Sequence, residues 1–296
     1  MEWLTKLSKS IEYIEKNLTS EISYDEAAKI ACCSTYYFQR MFSYVAGIPL
    51  AEYIRRRRMT QAAFEIQGAT ERITEIGLKY GYSSPTAFNR AFQSVHGISP
   101  TVARTKAVQL NSYAPISFKV AVTGGEGMKY QIEKKESFRV VGVRCALEEQ
   151  MEENQKVVPE FWRKILDSLI FPEIAQLDNS SIKQVLGITA YTNPKNIYYY
   201  IAAKTNKETP IGMYELEIPE ATWVVFQCNG RLKESIQTIF KRFITEWLPF
   251  SGYKYAELPD VEVYTMNNQN GECGHAEVWI AIKKEDEEVH NDEYKS

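Results

Sequence analysis

Residues 34–48 (STYYFQRMFSYVAGI) return fifty positions later as residues 84–98 (SPTAFNRAFQSVHGI), with Ser, Phe, Arg, Phe, Val, Gly and Ile coinciding and Lys29 falling on Lys79. A repeat of that period in two copies is too long for a heptad and too few for a solenoid. It restricts this stretch to two copies of one compact device. Each copy reads helix, tight turn, helix: Tyr24 to Ile30 then Ser34 to Val45, and Ile73 to Tyr80 then Ser84 to His96. Ser34 and Ser84 are natural N-caps, and Gly47 and Gly97 stand where a helix end wants a left-handed residue. Two helix-turn-helix units on one chain suit gripping a duplex at two places.

Between the copies, Pro49 to Gln67 reads as a spacer helix with proline near its start. Arg55 to Arg58 run right round one of its turns, so some of the four face solvent or phosphate. Net charge is −3, but residues 1–108 carry 14 Lys/Arg against 10 Asp/Glu and the remainder 21 against 28. An acidic domain attached to a DNA-contacting one shows that asymmetry. Five cysteines without metal-ligand spacing point to a reducing compartment. No apolar run approaches the roughly 20 residues that span a bilayer, and the N-terminus has no signal-peptide core. A cytoplasmic protein with no membrane partner, metal or cofactor is expected.

In each second helix the phenylalanines four apart (Phe38 and Phe42, Phe88 and Phe92) share a core face. The opposite side then offers Thr35, Tyr36, Gln39 and Arg40 in the first unit, and Pro85, Thr86, Asn89 and Arg90 in the second. Gln suits adenine, and Arg suits guanine or a phosphate, because each makes paired hydrogen bonds. Two such helices on a rigid spacer would enter successive major grooves about 34 Å apart.

Residues 1–108 resemble the DNA-binding domain of the AraC/XylS transcription regulators. The resemblance rests on Phe38-Gln-Arg-Met-Phe42, Phe88-Asn-Arg-Ala-Phe92, GIPLAEYIRRRRM and ITEIGLKYGYSSPTAFNRAF followed by GISP. It implies seven helices, promoter DNA and RNA polymerase as partners, activation more than repression, and base contacts from Gln39, Arg40, Thr86 and Arg90.

Beyond a linker at residues 109–127, with an extended segment Ile116 to Val122, a second duplication shows in element order. Strand Phe138 to Cys145, a helix over about Val158 to Ile170, and strands Leu186 to Thr192 and Ile197 to Lys204 form one set. Strand Thr222 to Asn229, helix Leu232 to Trp247, and strands Val261 to Met266 and His275 to Lys283 form the other. The expected fold is therefore two domains: an all-α double helix-turn-helix domain, then an α+β domain of duplicated βαββ units at 128–286. Residues 287–296 read as an acidic tail.

A cleft between the half-units is expected. Strand alternation puts Glu277 and Trp279 on its wall, with Tyr198 and Tyr200 at the aligned positions of the first repeat. Glu262, Tyr264 and Trp162 are assigned to the same cleft, with Trp223 as a further contributor. Aromatic walls around a carboxylate favour a flat, apolar cation as small-molecule effector. WVVFQCNG, EWLPFSGYKYAELPDVEVY and HAEVWIAIK resemble the GyrI-like (SOUL-related) effector-binding domain, over about Met128 to Lys284. That domain also occurs in Rob-type AraC regulators and BmrR-type multidrug sensors. The resemblance implies that Glu277 is the pocket acid. An enzyme, with Glu277 and Tyr198 or Trp279 activating water, and a purely protein-binding domain are the rival readings.

Overall fold

The computed structural model describes residues 2–68, 70–105, 107–118, 127–148, 151–179, 183–193, 196–228, 232–266 and 273–284. The chain divides into two compact units, Met1–Val122 and Thr123–Ser296.

The first unit holds seven helices among the described residues: α1 (Glu2–Lys16), α2 (Tyr24–Ala31), α3 (Thr35–Ala46), α4 (Leu50–Gly68), α5 (Ile73–Lys79), α6 (Pro85–His96) and α7 (Pro100–Thr105). Ser34 and Ser84 accept the amides of Tyr37 and Ala87, which starts the two second helices in the same way. Gly47 and Gly97 end them at φ 72° and 76°, a conformation that crowds a side chain but not hydrogen. Two hydrophobic cores result. One gathers Leu7, Ile11, Ile14, Phe38, Phe42 and Tyr53, the other Met59, Ile66, Ile76, Phe88 and Phe92. Helix α4 gives its first half to one core and its second half to the other.

Arg57 and Arg58 of α4 are absorbed by this packing. Arg57 is only 4% exposed and donates to both oxygens of Glu15, from Nε at 2.9 Å and from Nη2 at 2.8 Å. The Tyr53 hydroxyl donates to the same carboxylate at 2.6 Å. Burial and that carboxylate push the phenol well above its usual range. Arg58 donates to the carbonyls of Leu18 and Ser20, while Arg55 and Arg56 pair with Glu52. Residues 109–118, the described part of the expected linker, lie on the helical unit together with Val108. Val108, Leu110 and Tyr113 pack against its second core, and Ile116 and Phe118 against its first. Residues 116–118 are not in a strand, and the rest of that expected segment lies outside the described residues, as does the acidic tail.

The second unit is built on one antiparallel sheet. Its strands are β1 (Tyr130–Lys135), β2 (Phe138–Ala146), β3 (Gln184–Asn193), β4 (Asn196–Lys204), β5 (Tyr214–Ile218), β6 (Ala221–Cys228), β7 (Tyr253–Tyr255), β8 (Asp260–Met266) and β9 (Cys273–Lys284). They lie in the order β1-β6-β9-β8-β3-β4-β2-β5, with β7 pairing β9. Its helices are α8 (Met151–Leu166), α9 (Ile170–Leu177) and α10 (Leu232–Arg242), the last continued by a π turn over Phe243–Trp247. The expected single helix from Val158 is thus two helices, and β1, β5 and β7 were not foreseen.

The duplication is realised as β2-α8-β3-β4 and β6-α10-β8-β9, joined where β3 pairs antiparallel with β8. One sheet face carries Val140, Leu186, Ile188, Tyr200, Trp223, Val225, Val261, Val263 and Ala281 into a single core. The rings of Phe138 on β2 and Trp279 on β9 lie 6.3 Å apart on it. Four strand spacings on a flat sheet would separate them by roughly 19 Å, so this face curls in on itself. The helices cover the other face. Trp162 of α8 bonds to Tyr199, and Phe243 and Trp247, which continue α10, pack on Phe226.

Candidate functional site

The two helix-turn-helix units present their reading faces unequally. On α6, Pro85, Thr86 and Arg90 are exposed and Asn89 is half-buried. On α3, Thr35 is half-buried and donates to Asp25, whereas Tyr36, Gln39 and Arg40 are 5%, 2% and 7% exposed. Tyr36, Gln39 and Arg40, expected on an open reading face, are thus buried, whereas the corresponding face of α6 is open. Arg40 donates to the Tyr44 hydroxyl at 3.4 Å and lies 5.6 Å from its ring centre. The Gln39 amide nitrogen is buried with no hydrogen-bond partner among the described residues.

In the sheet unit the pleat separates what the sequence assigned to one cleft. Glu262 stands opposite Gly187 and Val278, while Glu277 stands opposite Val263 and Gln227. Adjacent positions on a strand point to opposite faces, so the two carboxylates leave the sheet on opposite sides. Glu277, Trp279, Tyr198 and Tyr200 share the curled face with Trp223; Glu262, Tyr264 and Trp162 meet on the helix-covered face.

On the curled face, Glu277 accepts from Gln227 at 2.9 Å and from the Trp279 indole at 2.8 Å. The Lys135 ammonium sits 4.2 Å above the Trp279 ring. The Arg144 guanidinium lies 4.0 Å from the Tyr198 ring centre and 4.1 Å from that of Tyr214, and donates to the Tyr200 hydroxyl at 3.0 Å. These rings already hold cations supplied by the chain itself.

On the helix-covered face a chain of donors converges on one atom. The Trp162 indole donates to the Tyr199 hydroxyl at 2.8 Å, and Tyr199 donates to Glu262 Oε2 at 2.7 Å. The Tyr264 hydroxyl donates to the same oxygen, also at 2.7 Å. Burial first, and then the nearby carboxylate charge, raise both phenols well above their ordinary range, so they remain protonated donors. The Trp162 and Tyr264 rings meet edge to face at 5.0 Å. Gly187 makes the convergence possible. A Cβ there would collide with the Tyr199 hydroxyl and stand 2.8 Å from Glu262 Oε2. The missing side chain lets Tyr199 of β4 reach across β3 to Glu262 of β8.

Tyr199 and Gly187 were not among the residues expected at the site. A glycine inside a strand is itself a sign of close approach, and that was the available signal. Tyr199 sits between two tyrosines assigned to the opposite face, and alternation alone does not say which face receives the helices.

Comparison with known proteins agrees with both units. Residues 131–282, more than half of the chain, match the family of integron-associated effector binding proteins, and residues 27–106 match a helix-turn-helix domain family. The transcriptional activator AarP of Providencia stuartii is 36% identical over 115 residues, which are 39% of this chain and 85% of AarP. The chain is an AraC-type regulator with an effector-binding domain. The TetD protein of transposon Tn10 from Escherichia coli is 40% identical to this regulator over 92 residues, 31% of the regulator and 67% of TetD. The crystal structure of a putative transcription regulation protein from Staphylococcus aureus MU50 overlays 53% of the regulator and 99% of its own chain, with 18% identity and a TM-score of 0.46. Among the described residues, the regulator has no helix long and apolar enough to cross a membrane and no His/Cys/Asp/Glu group that could hold a metal.

Proposed function

We propose that a flat, apolar cation is the effector, that it docks against Glu262, and that its binding controls how this regulator engages promoter DNA and RNA polymerase, in the direction of activation. The observation that carries this reading is the carboxylate fixed by two phenols beside an indole. Ring faces attract a cation through their quadrupoles, the carboxylate supplies the opposite charge, and the locked rotamers leave little to reorganise on binding. In this reading Glu262 takes the role expected of Glu277, which lies on the opposite, curled face of the sheet. The name of AarP as an activator supports the direction of regulation.

On the DNA side, Thr86, Asn89 and Arg90 of α6 together with Thr35, Tyr36, Gln39 and Arg40 of α3 are the proposed reading set. The Gln39 amide, a donor with no partner among the described residues, supports its place in that set. A buried donor without a partner costs about 1–3 kcal/mol, and the edge of an adenine completes such an amide.

The test is Glu262→Gln, titrated with a quaternary aryl ammonium dye and with its neutral isostere. The cation should bind about tenfold more weakly or worse, the scale of one charge pair at intermediate dielectric. The neutral compound should change little. Equal losses for both would show that Glu262 does not read charge.

A further inference from the structure

Residues 107–118 follow the last helix of the DNA-binding fold and lie beyond the span matched by the helix-turn-helix family, which stops at 106. Their inward side chains divide between the two cores. Val108, Leu110 and Tyr113 enter the core of the second helix-turn-helix, and Ile116 and Phe118 enter the core of the first. Their polar bonds step in one direction. The Asn111 side chain donates to the Val95 carbonyl at the end of α6, at 2.6 Å. The Tyr113 amide donates to Thr60 Oγ1 at 3.1 Å, and the Tyr113 carbonyl accepts from Arg57. The Ile116 amide donates to the Tyr53 hydroxyl at 3.2 Å. Thr60, Arg57 and Tyr53 descend along α4, so the strap runs antiparallel to the spacer helix and is bonded to it at three points. The Arg56 guanidinium lies 5.0 Å from the centre of the Tyr113 ring.

The spacer helix carries one recognition helix on each of its halves, and helices flex. A second strand of chain, bonded along the helix and anchored in both cores, resists bending in the way the second flange of a beam does. Its grip is tied to the buried Glu15–Arg57–Tyr53 cluster, because Arg57 and Tyr53 bond to the strap and to Glu15 at once. We infer that residues 108–118 are a positioning element of the DNA reader, with Tyr113 as its central clamp, setting the separation and twist of α3 and α6. This rests on the reading that both helices engage one duplex.

The experiment uses the full chain and duplexes selected by it from a randomised pool. Affinity is measured for the selected two-turn site, for the same site with one base pair inserted or deleted at its centre, and for each half-site alone. Wild type should prefer the selected spacing. Tyr113→Ala should weaken the two-turn site about tenfold and flatten the spacing preference, since rigid linkage sets the effective concentration of the second contact. Half-site affinity should stay within about twofold. Tyr113→Phe keeps the ring and the backbone bonds and should restore wild-type behaviour. Asn111→Ala, which removes one bond at the strap's outer end, should shift the spacing preference in the same direction by less. Equal loss on half-sites and two-turn site would reduce the strap to a stabilising role, and an unchanged spacing preference in both alanine variants would overturn the inference. A wild-type chain that binds half-site and two-turn site equally would instead refute the two-helix reading.

Discussion

Replacing Gly187 by alanine adds one methyl group at the point where three strands bring two phenols and a carboxylate together under the indole of α8. The backbone there lies outside the left-handed region, so the penalty is steric alone. The new Cβ would overlap the Tyr199 hydroxyl and stand 2.8 Å from Glu262 Oε2, both inside van der Waals contact. Tyr199 is fully buried, so its ring cannot move aside without displacing Trp162, and the 2.7 Å bond to Glu262 breaks first. Overpacking costs about 1–3 kcal/mol, and a hydrogen bond to a charged acceptor contributes about 1.5–3 kcal/mol. The two are not additive, and a loss of about 3 kcal/mol is expected. For a domain of this size that lowers the midpoint of thermal unfolding by roughly 6–12 °C. Tryptophan fluorescence is a suitable readout, because Trp162, Trp223, Trp247 and Trp279 all lie in the sheet unit. Gly127→Ala is the matched control, since a Cβ there meets nothing within 4 Å. Its midpoint should stay within about 1 °C. Equal midpoints for the two variants would refute the close approach of Tyr199 and Glu262 over Gly187, and with it the proposed site.

Two further expectations concern the helical unit. His96 is buried, its Nε2 bonds the Met59 carbonyl at 3.0 Å, and its Nδ1 has no partner among the described residues. Burial holds its pKa below the ordinary imidazole value near 6.5, so the unfolded chain takes up the proton first. Stability of this unit is therefore complete above about pH 6.5 and falls as pH drops below it. Denaturation midpoints compared at neutral and mildly acidic pH should show that fall in wild type and a flatter profile in His96→Gln; parallel profiles would acquit His96. Arg90 is exposed on α6, and Arg90→Ala should weaken specific duplex binding by about 1–3 kcal/mol if it pairs with guanine. A loss shared by specific and random duplexes, with a shallower salt dependence, would assign it to phosphate instead.

Much of the molecule was determined by the sequence alone, wherever the deciding interactions are local. Caps at Ser34 and Ser84 and glycine stops at positions 47 and 97 are satisfied within one or two turns of chain, and phenylalanines four apart mark a buried face by their spacing alone. The paired helix-turn-helix units were therefore readable. Alternation likewise located the main strands and the duplicated order. Alternation leaves two equal solutions for any strand, however. Only the packing of α8 and α10 decided that Tyr199 and Glu262, instead of Tyr198 and Glu277, face the helices. The same holds for Arg57, which nothing local tells apart from its three neighbouring arginines until α1 brings Glu15 against it from 42 positions away. It holds for residues 109–118, whose scattered apolar side chains look like linker until two cores receive them. In each case the partner lies far off in sequence. A side chain's direction is a local property, but what it meets is settled only when distant elements pack.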